Sequence, residues 1–453
     1  MELMHNLNFS HPFLNKLIAY KDLNCLVYKD KTYSYLELLL EVEKYIGQLN
    51  NLKGIIGILG DYNLKSIALL LACIEKRLIV APFLKLKNQD FKELEDKIYE
   101  GQIDYLYDEG RFIPYQSKQL KHNLIYTLQN HSSSGLILFS SGSTGKPKAM
   151  VHNLDVILNV YQGKKPKVMN IVLFLMFDHI GGLNTLFNVL GMGACGIALE
   201  DRKNIEALAQ NIQKYQVSLL PASPSLLNLI LMSGVKEKYD LNSLKLITYG
   251  TEKMSDSLLN RLKLEFPKVR FHQTFGTSEV GIAQTKTKDN MIKLEGMAYK
   301  IINNELYLKS KTQSLGYLNA DNSVFDEEGY FATGDLVELY KENGEEYIKI
   351  IGRSKELINV GGEKVVPQEV EGVILELDYI QDCLVYAKAN TITGQSVCVE
   401  VLLKPNIEFT NLELKKQLRM YCKDKLANYK IPTQVEIVDG LELSQRFKKV
   451  RKG

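Results

Sequence analysis

The chain predicts an α/β protein. A large N-terminal domain of parallel-rich sheets with helices and a small β region precedes a small, mobile α+β C-terminal domain. Three observations predict it. Apolar strand-like runs alternate with helix-like runs through the first half. After about Met291 short alternating runs are divided by Gly and Asn turns, and beyond Arg353 a tail carries strand and helix signals of its own. At 453 residues the chain is too long for one comfortable domain, and 45% hydrophobic against 24% charged residues suits a packed core.

Taken in order, residues 54–60 read as a buried strand, 64–76 as a helix and 78–82 as a strand. Residues 136–139 form a further strand that ends directly in a Ser/Gly loop. Strand, helix and strand in that order place the strands parallel. The alternation returns with a strand at 197–199, a helix at 205–215, a strand at 217–220 and a helix at 224–232. Residues 305–309 and 347–351 alternate as antiparallel strands do. In the tail 368–377 and 411–426 look helical, while 383–388 and 397–403 look like strands. These signals divide the chain into a large domain, 1–353, and a small domain, 354–453, with the boundary near Lys355.

Composition excludes several classes. Fifty-six basic against 53 acidic side chains leave a formal charge of +3, so nothing calls for nucleic acid or an anionic membrane. Cys25, Cys73, Cys195, Cys383, Cys398 and Cys422 form no CxxC pair and predict reduced thiols, with neither a zinc site nor a disulfide framework. The first ten residues lack the apolar core of a signal peptide, and the most apolar stretch, 67–84, is cut by Glu75, Lys76 and Arg77. A cytoplasmic protein with no membrane span is expected.

The chemistry concentrates in a few segments. Ser140, Ser141, Gly142, Ser143, Thr144, Gly145, Lys146, Pro147 and Lys148 follow the strand at 136–139. Small residues let backbone amides approach an anion, hydroxyls add donors and the two lysines add charge, so the loop suits phosphate. A flexible Ser/Gly connector has the same composition. It is not a Walker loop, because Pro147 follows Lys146 where that motif needs Ser or Thr. Further on come Tyr249-Gly250-Thr251-Glu252, residues 271–281 (FHQTFGTSEVG), Gly316-Tyr317-Leu318-Asn319, residues 330–335 (YFATGD), residues 351–371 with Arg353, Lys355, Gly361 and Gly362, and residues 426–432 (LANYKIP).

In this order the segments resemble the adenylate-forming, or AMP-binding, superfamily of acyl-CoA synthetases, peptide-synthetase adenylation domains and luciferase-like enzymes. The departures are Ala149 where many members have Gly, and Phe275 where Tyr is commoner. The resemblance implies that the Ser140–Lys148 loop grips ATP phosphates. It implies that Gly250 and Thr251 line the adenine pocket, that Phe275 stacks on adenine beside Gly276 and Thr277, and that Ser278 contacts phosphate. Glu279 would hold Mg2+, a hard-oxygen ligand for a hard ion. Asp335 would accept from the ribose hydroxyls and Arg353 would contact ribose or phosphate. Lys355 would be the hinge of a swinging small domain, and Gly361 and Gly362 would let a thiol-bearing arm approach; taken alone, the two glycines are a plain turn. The family usually ends in a Gly-Lys pair. Here Lys449 before Val450 aligns with the catalytic lysine, with Lys448 in the place of Gly and as the competing assignment.

The implied reaction is ATP-dependent activation of a small carboxylic acid through an acyl-adenylate with pyrophosphate release. Transfer to a thiol would follow, on CoA or on the phosphopantetheine of a separate acyl carrier protein. Residues 175–183 (LMFDHIGGL) admit two registers for the acid pocket. In one, His179 with Gly182-Leu183 flanks the carboxylate as in acyl-CoA synthetases. In the other, Asp178 pairs with a substrate ammonium as in amino-acid adenylation. Amino-acid adenylation for a separate carrier, and a nucleotide-binding relative with weak catalysis, are the alternative readings.

Overall fold

The computed structural model describes residues 7–85, 90–115, 120–141, 146–444 and 447–451. Two seven-stranded sheets stand on either side of a shared helical layer. In the first, Arg270–Gln273, Leu246–Tyr249, Leu219–Ala222, Asn170–Leu173, Cys195–Ala198 and Asn24–Tyr28 run parallel, and Lys31–Ser34 closes one edge antiparallel. In the second, Gly135–Ser141, Ile79–Leu84, Ile55–Gly60 and Tyr105–Asp108 run parallel. Antiparallel strands flank them, Pro147–Asn153 and Gly316–Tyr317 at one edge and Arg111–Pro114 at the other.

The helices between the sheets explain the apolar run that the sequence left uninterrupted until Glu75. Leu64–Glu75, capped by the Asn63 side chain, buries every residue from Ser66 to Ile74. One continuous core therefore joins Ile56 and Ile58 of one sheet to Ile171 and Leu173 of the other. Ile180–Met192 lies in the same layer. Its Gly182 is required, because a Cβ there would stand 1.9 Å from the Met176 carbonyl oxygen.

A third seven-stranded sheet, wholly antiparallel, runs from Phe275–Thr277 to Ala298–Ile302 and contains the long pair Phe331–Glu342 and Glu345–Arg353. A 3-10 turn, Ser354–Glu356, carries Lys355 away from this sheet. Beyond it a five-stranded sheet, built on the pair Ile380–Asn390 and Gly394–Leu403, packs with the helices Pro367–Ile374 and Asn411–Cys422 around a core of its own. The chain is thus a large body and a small domain. The small domain touches the body through Asn228 Nδ2, which donates to Asp382 Oδ2 at 3.0 Å, and through Ser257 Oγ, which donates to the Leu375 carbonyl at 3.0 Å. Among the described residues no helix is long and apolar enough to cross a membrane, and all six cysteines are unpaired and buried.

Candidate active site

The strands on either side of the Ser/Gly loop pair antiparallel. Ser140 is in register with Lys148 across Gly135–Ser141 and Pro147–Asn153. Gly142, Ser143, Thr144 and Gly145, and the Ser141 side chain, lie outside the described residues. Lys146 is exposed, with its Nζ 3.7 Å from Glu100 Oε1. Asn319 braces the return strand: its Oδ1 accepts from the Ala149 N–H at 2.9 Å, and its amide donates to the Pro147 carbonyl at 2.8 Å and to Glu100 at 2.9 Å. Tyr317, on the strand paired with the hairpin, donates to Glu279 Oε1 at 2.9 Å, and Lys148 Nζ lies 5.7 Å from its ring centre. Burial and the Glu279 carboxylate push this phenol well above its usual range. Hairpin, Lys148 and Glu279 therefore meet around one tyrosine, which gives the Gly316–Asn319 segment a physical role.

Two tight turns shape the next wall. A Cβ on Gly276 would stand 2.4 Å from the Gly281 carbonyl oxygen, and one on Gly250 would stand 2.7 Å from that of Thr274. Both positions therefore demand glycine. Thr251 follows in the left-handed region at φ 71°. Thr277 Oγ1 accepts from the Val280 N–H at 3.2 Å, which fixes the turn carrying Ser278 and Glu279.

Between the body and the small domain lies a cavity of about 220 Å3 whose walls include Thr251, Phe275, Gly276, Asp335, Arg353 and Lys448. Asp335 and Arg353 are cross-strand partners, and Arg353 Nε stands 3.0 Å from Asp335 Oδ1. Burial raises the Asp335 carboxyl above its ordinary range, and Arg353 opposes that shift. Lys355 is exposed on its turn. Gly361 and Gly362, at φ 61° and 97°, make the two-residue turn between Ile358–Val360 and Glu363–Val365, and they line neither cavity described here.

The C-terminal tail enters this cavity. The Phe447 ring packs 5.0 Å from that of Phe174, and its carbonyl accepts from Ser223 Oγ at 3.0 Å. Its φ of 53° is the left-handed conformation that favours glycine. Lys449 lines the same cavity, and its Nζ donates to Asp382 Oδ1, on another of its walls, at 2.5 Å and to the Cys383 carbonyl at 2.9 Å. Burial would lower this ammonium, and Asp382 and Glu371 more than offset that and hold it above its ordinary value. Lys448 lines the cavity as well, and its charge acts on the Asp335 carboxyl. Both lysines that compete for the catalytic assignment therefore line the cavity, and the left-handed backbone at Phe447 stands immediately before Lys448.

A second cavity, of about 20 Å3, adjoins the first, and Thr251 and Lys448 belong to both. Its other walls include Met176, His179, Arg202 and Phe447. His179 caps the helix Ile180–Met192, its Nδ1 accepting from the Gly181 N–H at 3.2 Å. Asp178 is not among the walls; its charge acts on Arg202 and Tyr62. Arg202 and its partner Asp61 escaped the sequence reading, since they are 141 positions apart and belong to no motif.

The large body, the small domain and the tail entering the cavity between them define a two-domain AMP-binding architecture. The chain belongs to the AMP-binding enzyme family. That family's profile matches residues 84–319, and the profile of the AMP-binding enzyme C-terminal domain matches 369–448. Acyl-CoA synthetase 7 of Caenorhabditis elegans is 27% identical over 67% of this chain and 61% of its own length. The chain spans about three fifths of the length of the first curated relatives it matches, 61%, 61% and 60%. The crystal structure of the anthranilate CoA ligase AuaEII with anthranoyl-AMP shares the fold at a TM-score of 0.82 and 17% identity, over 97% of this chain and 96% of that one. The o-succinylbenzoate CoA synthetase of Bacillus subtilis with its acyl-adenylate has a TM-score of 0.73 at 20% identity, over 96% and 97%.

Proposed function

We propose that this chain activates a carboxylic acid with ATP and passes the acyl group to a thiol. The observation that carries the reading is the convergence of Phe275, Asp335, Arg353 and Lys448 on one cavity between the two domains. The relatives' names support it, being a CoA synthetase, CoA ligases and a 2,3-dihydroxybenzoate-AMP ligase. A carboxylate oxygen attacks the α-phosphorus, a P–O bond forms, and the bond to pyrophosphate breaks. A thiolate sulfur then attacks the acyl carbon and AMP leaves with the C–O electron pair. Either CoA or the phosphopantetheine of a separate acyl carrier protein would supply the thiol.

Positioning and charge stabilisation are the protein's part. The Ser140–Lys148 hairpin, including Gly142 to Gly145, would hold phosphates through amides, hydroxyls and Lys146 and Lys148. Phe275 would stack on adenine between Gly250-Thr251 and Gly276-Thr277, Ser278 would meet phosphate, and Asp335 with Arg353 would take the ribose. A single carboxylate beside substrate phosphates is how Mg2+ is usually held, and Glu279, with Tyr317 on one oxygen only, fits that use. The ion, when bound, neutralises charge on the phosphates. His179 on the small cavity, with Asp178 off its walls, supports an acid without an ammonium group.

Lys448 is our assignment for the catalytic cation, with Phe447 in the position of the family's glycine. Lys448→Ala is expected to lower acid-dependent ATP–pyrophosphate exchange about 100- to 1,000-fold and to spare thioester formation from supplied acyl-adenylate. Lys449→Ala is expected to cost far less. The reverse ranking would overturn the assignment, and equal loss of both half-reactions would remove the role. Lys355 would be the pivot on which the small domain turns to bring Gly361 and Gly362 to the thiol path.

A further inference from the structure

The small cavity sets a narrow limit on the acid. Thr251 and Lys448 stand where the two cavities meet, so a carboxylate placed at Lys448 directs its tail toward Arg202 and Phe447. The space there is about 20 Å3. One water needs roughly 10–15 Å3 on such a measure, and a cavity that takes benzene is about 150 Å3. The space between these walls is well short of what a phenyl ring needs.

The walls are held in place. Phe447 is only 4% exposed, packed on Phe174 and tethered through its carbonyl to Ser223. Arg202 donates from both terminal nitrogens to Asp61, at 2.6 and 2.8 Å, and from Nε to the Phe174 carbonyl at 2.6 Å. Asp61 is therefore its bidentate partner, and Asp178 also bears on its charge. A second carboxylate on the substrate would meet those two acids across the guanidinium. A neutral oxygen meets no such repulsion. Among the described contacts, three of the five N–H donors that a guanidinium carries are taken, which leaves donors for a hydroxyl or keto oxygen.

We propose that the acid is short, with room beyond its carboxyl-bearing carbon for about one or two groups of water size, and carries a neutral hydroxyl or keto oxygen toward Arg202. The aromatic acids named for several relatives would then be excluded by Phe447. The proposal rests on the acid-activation reading above and deepens it.

The test is ATP–pyrophosphate exchange by the full chain with propionate, lactate, succinate, octanoate and benzoate. The unaltered protein is expected to show kcat/KM for lactate above that for propionate, and both at least tenfold above the other three. Phe447→Gly suits the left-handed backbone and opens the wall, and should raise benzoate relative to lactate at least tenfold. Arg202→Met should bring lactate down to the level of propionate. A thermal melt and AMP binding check the fold of each variant, and the panel on the unaltered protein needs no variant at all. Preference for benzoate or octanoate would overturn the size limit and leave acid activation standing. Preference for succinate would overturn the neutral-oxygen assignment. No exchange with any of the five would overturn this proposal, and only silence with an added amino-acid panel as well would remove acid activation itself.

Discussion

At the scale of single residues, Asp335 shows how the site sets binding against stability. Its carboxylate is buried and only partly compensated, because Arg353 is half exposed to water. A carboxyl raised in the folded state favours folding below the ordinary carboxylate range, and that contribution is lost as pH rises through the raised value. At neutral pH the charge is therefore a cost to the fold, retained in our reading for the ribose. Asp335→Asn is expected to melt no lower than the parent while weakening AMP about 10- to 100-fold, the usual worth of hydrogen bonds to a charged group. Thermal melts paired with titration calorimetry check both halves, and a clearly lower melting temperature would show that the Arg353 pair outweighs burial. Asp335 and Arg353 were legible because each sits in a contiguous motif. Lys448 and Lys449 were not separable, since the feature on which we base our proposal for Lys448 is the left-handed backbone at Phe447, a conformation that phenylalanine rarely adopts. Arg202 and Asp61 were invisible for a different reason: neither periodicity nor a local motif links them.

At the scale of elements, the strand Pro147–Asn153 carries the return half of the phosphate hairpin and buries His152 completely. Among the described residues neither ring nitrogen makes a hydrogen bond of good geometry, although backbone groups of Ser278 and Thr312 lie near enough to favour the charged form slightly. Burial dominates and lowers this imidazole from 6.5 to about 4. Between those values the unfolded chain binds a proton that the folded one refuses, so stability is present above 6.5 and is lost as pH falls toward 4. The loss is about 1.4 kcal/mol per pH unit, about 3 kcal/mol across the window. Denaturant melts of the parent and of His152→Phe over that range should diverge by this amount, with the variant flatter; parallel profiles would refute it. The strand order of this sheet was only half legible. The parallel strands announced themselves as apolar runs, whereas the antiparallel return strand and Asn319, which braces it from 170 residues away, gave no comparable pattern.

At the scale of the whole molecule, two domains were legible from the change in texture after Met291 and the separate signals beyond Arg353. Their mutual placement was not, because it depends on a few polar contacts made by residues with no sequence signature. Asn228 is one. Its amide holds the same Asp382 carboxylate that receives Lys449, so one acid joins body, small domain and tail. Asn228→Ala is expected to reduce the adenylation half-reaction about tenfold, in line with a hydrogen bond to a charged group. Thioester formation from supplied acyl-adenylate should be unchanged or faster if, as we propose, the small domain turns about Lys355 for that step. Single-turnover assays of the two half-reactions distinguish this from a general loss, which would appear equally in both.

Phe447 and Lys448 are consecutive residues of one tail, the first buried and walling the small cavity and the second shared by both cavities. On the proposed chemistry, fidelity follows from that adjacency. An oversized acid displaces the ring and with it the neighbouring ammonium, so the wrong adenylate fails to form. Such a protein discriminates against larger acids before ATP is consumed, whereas a smaller acid such as propionate passes the same wall.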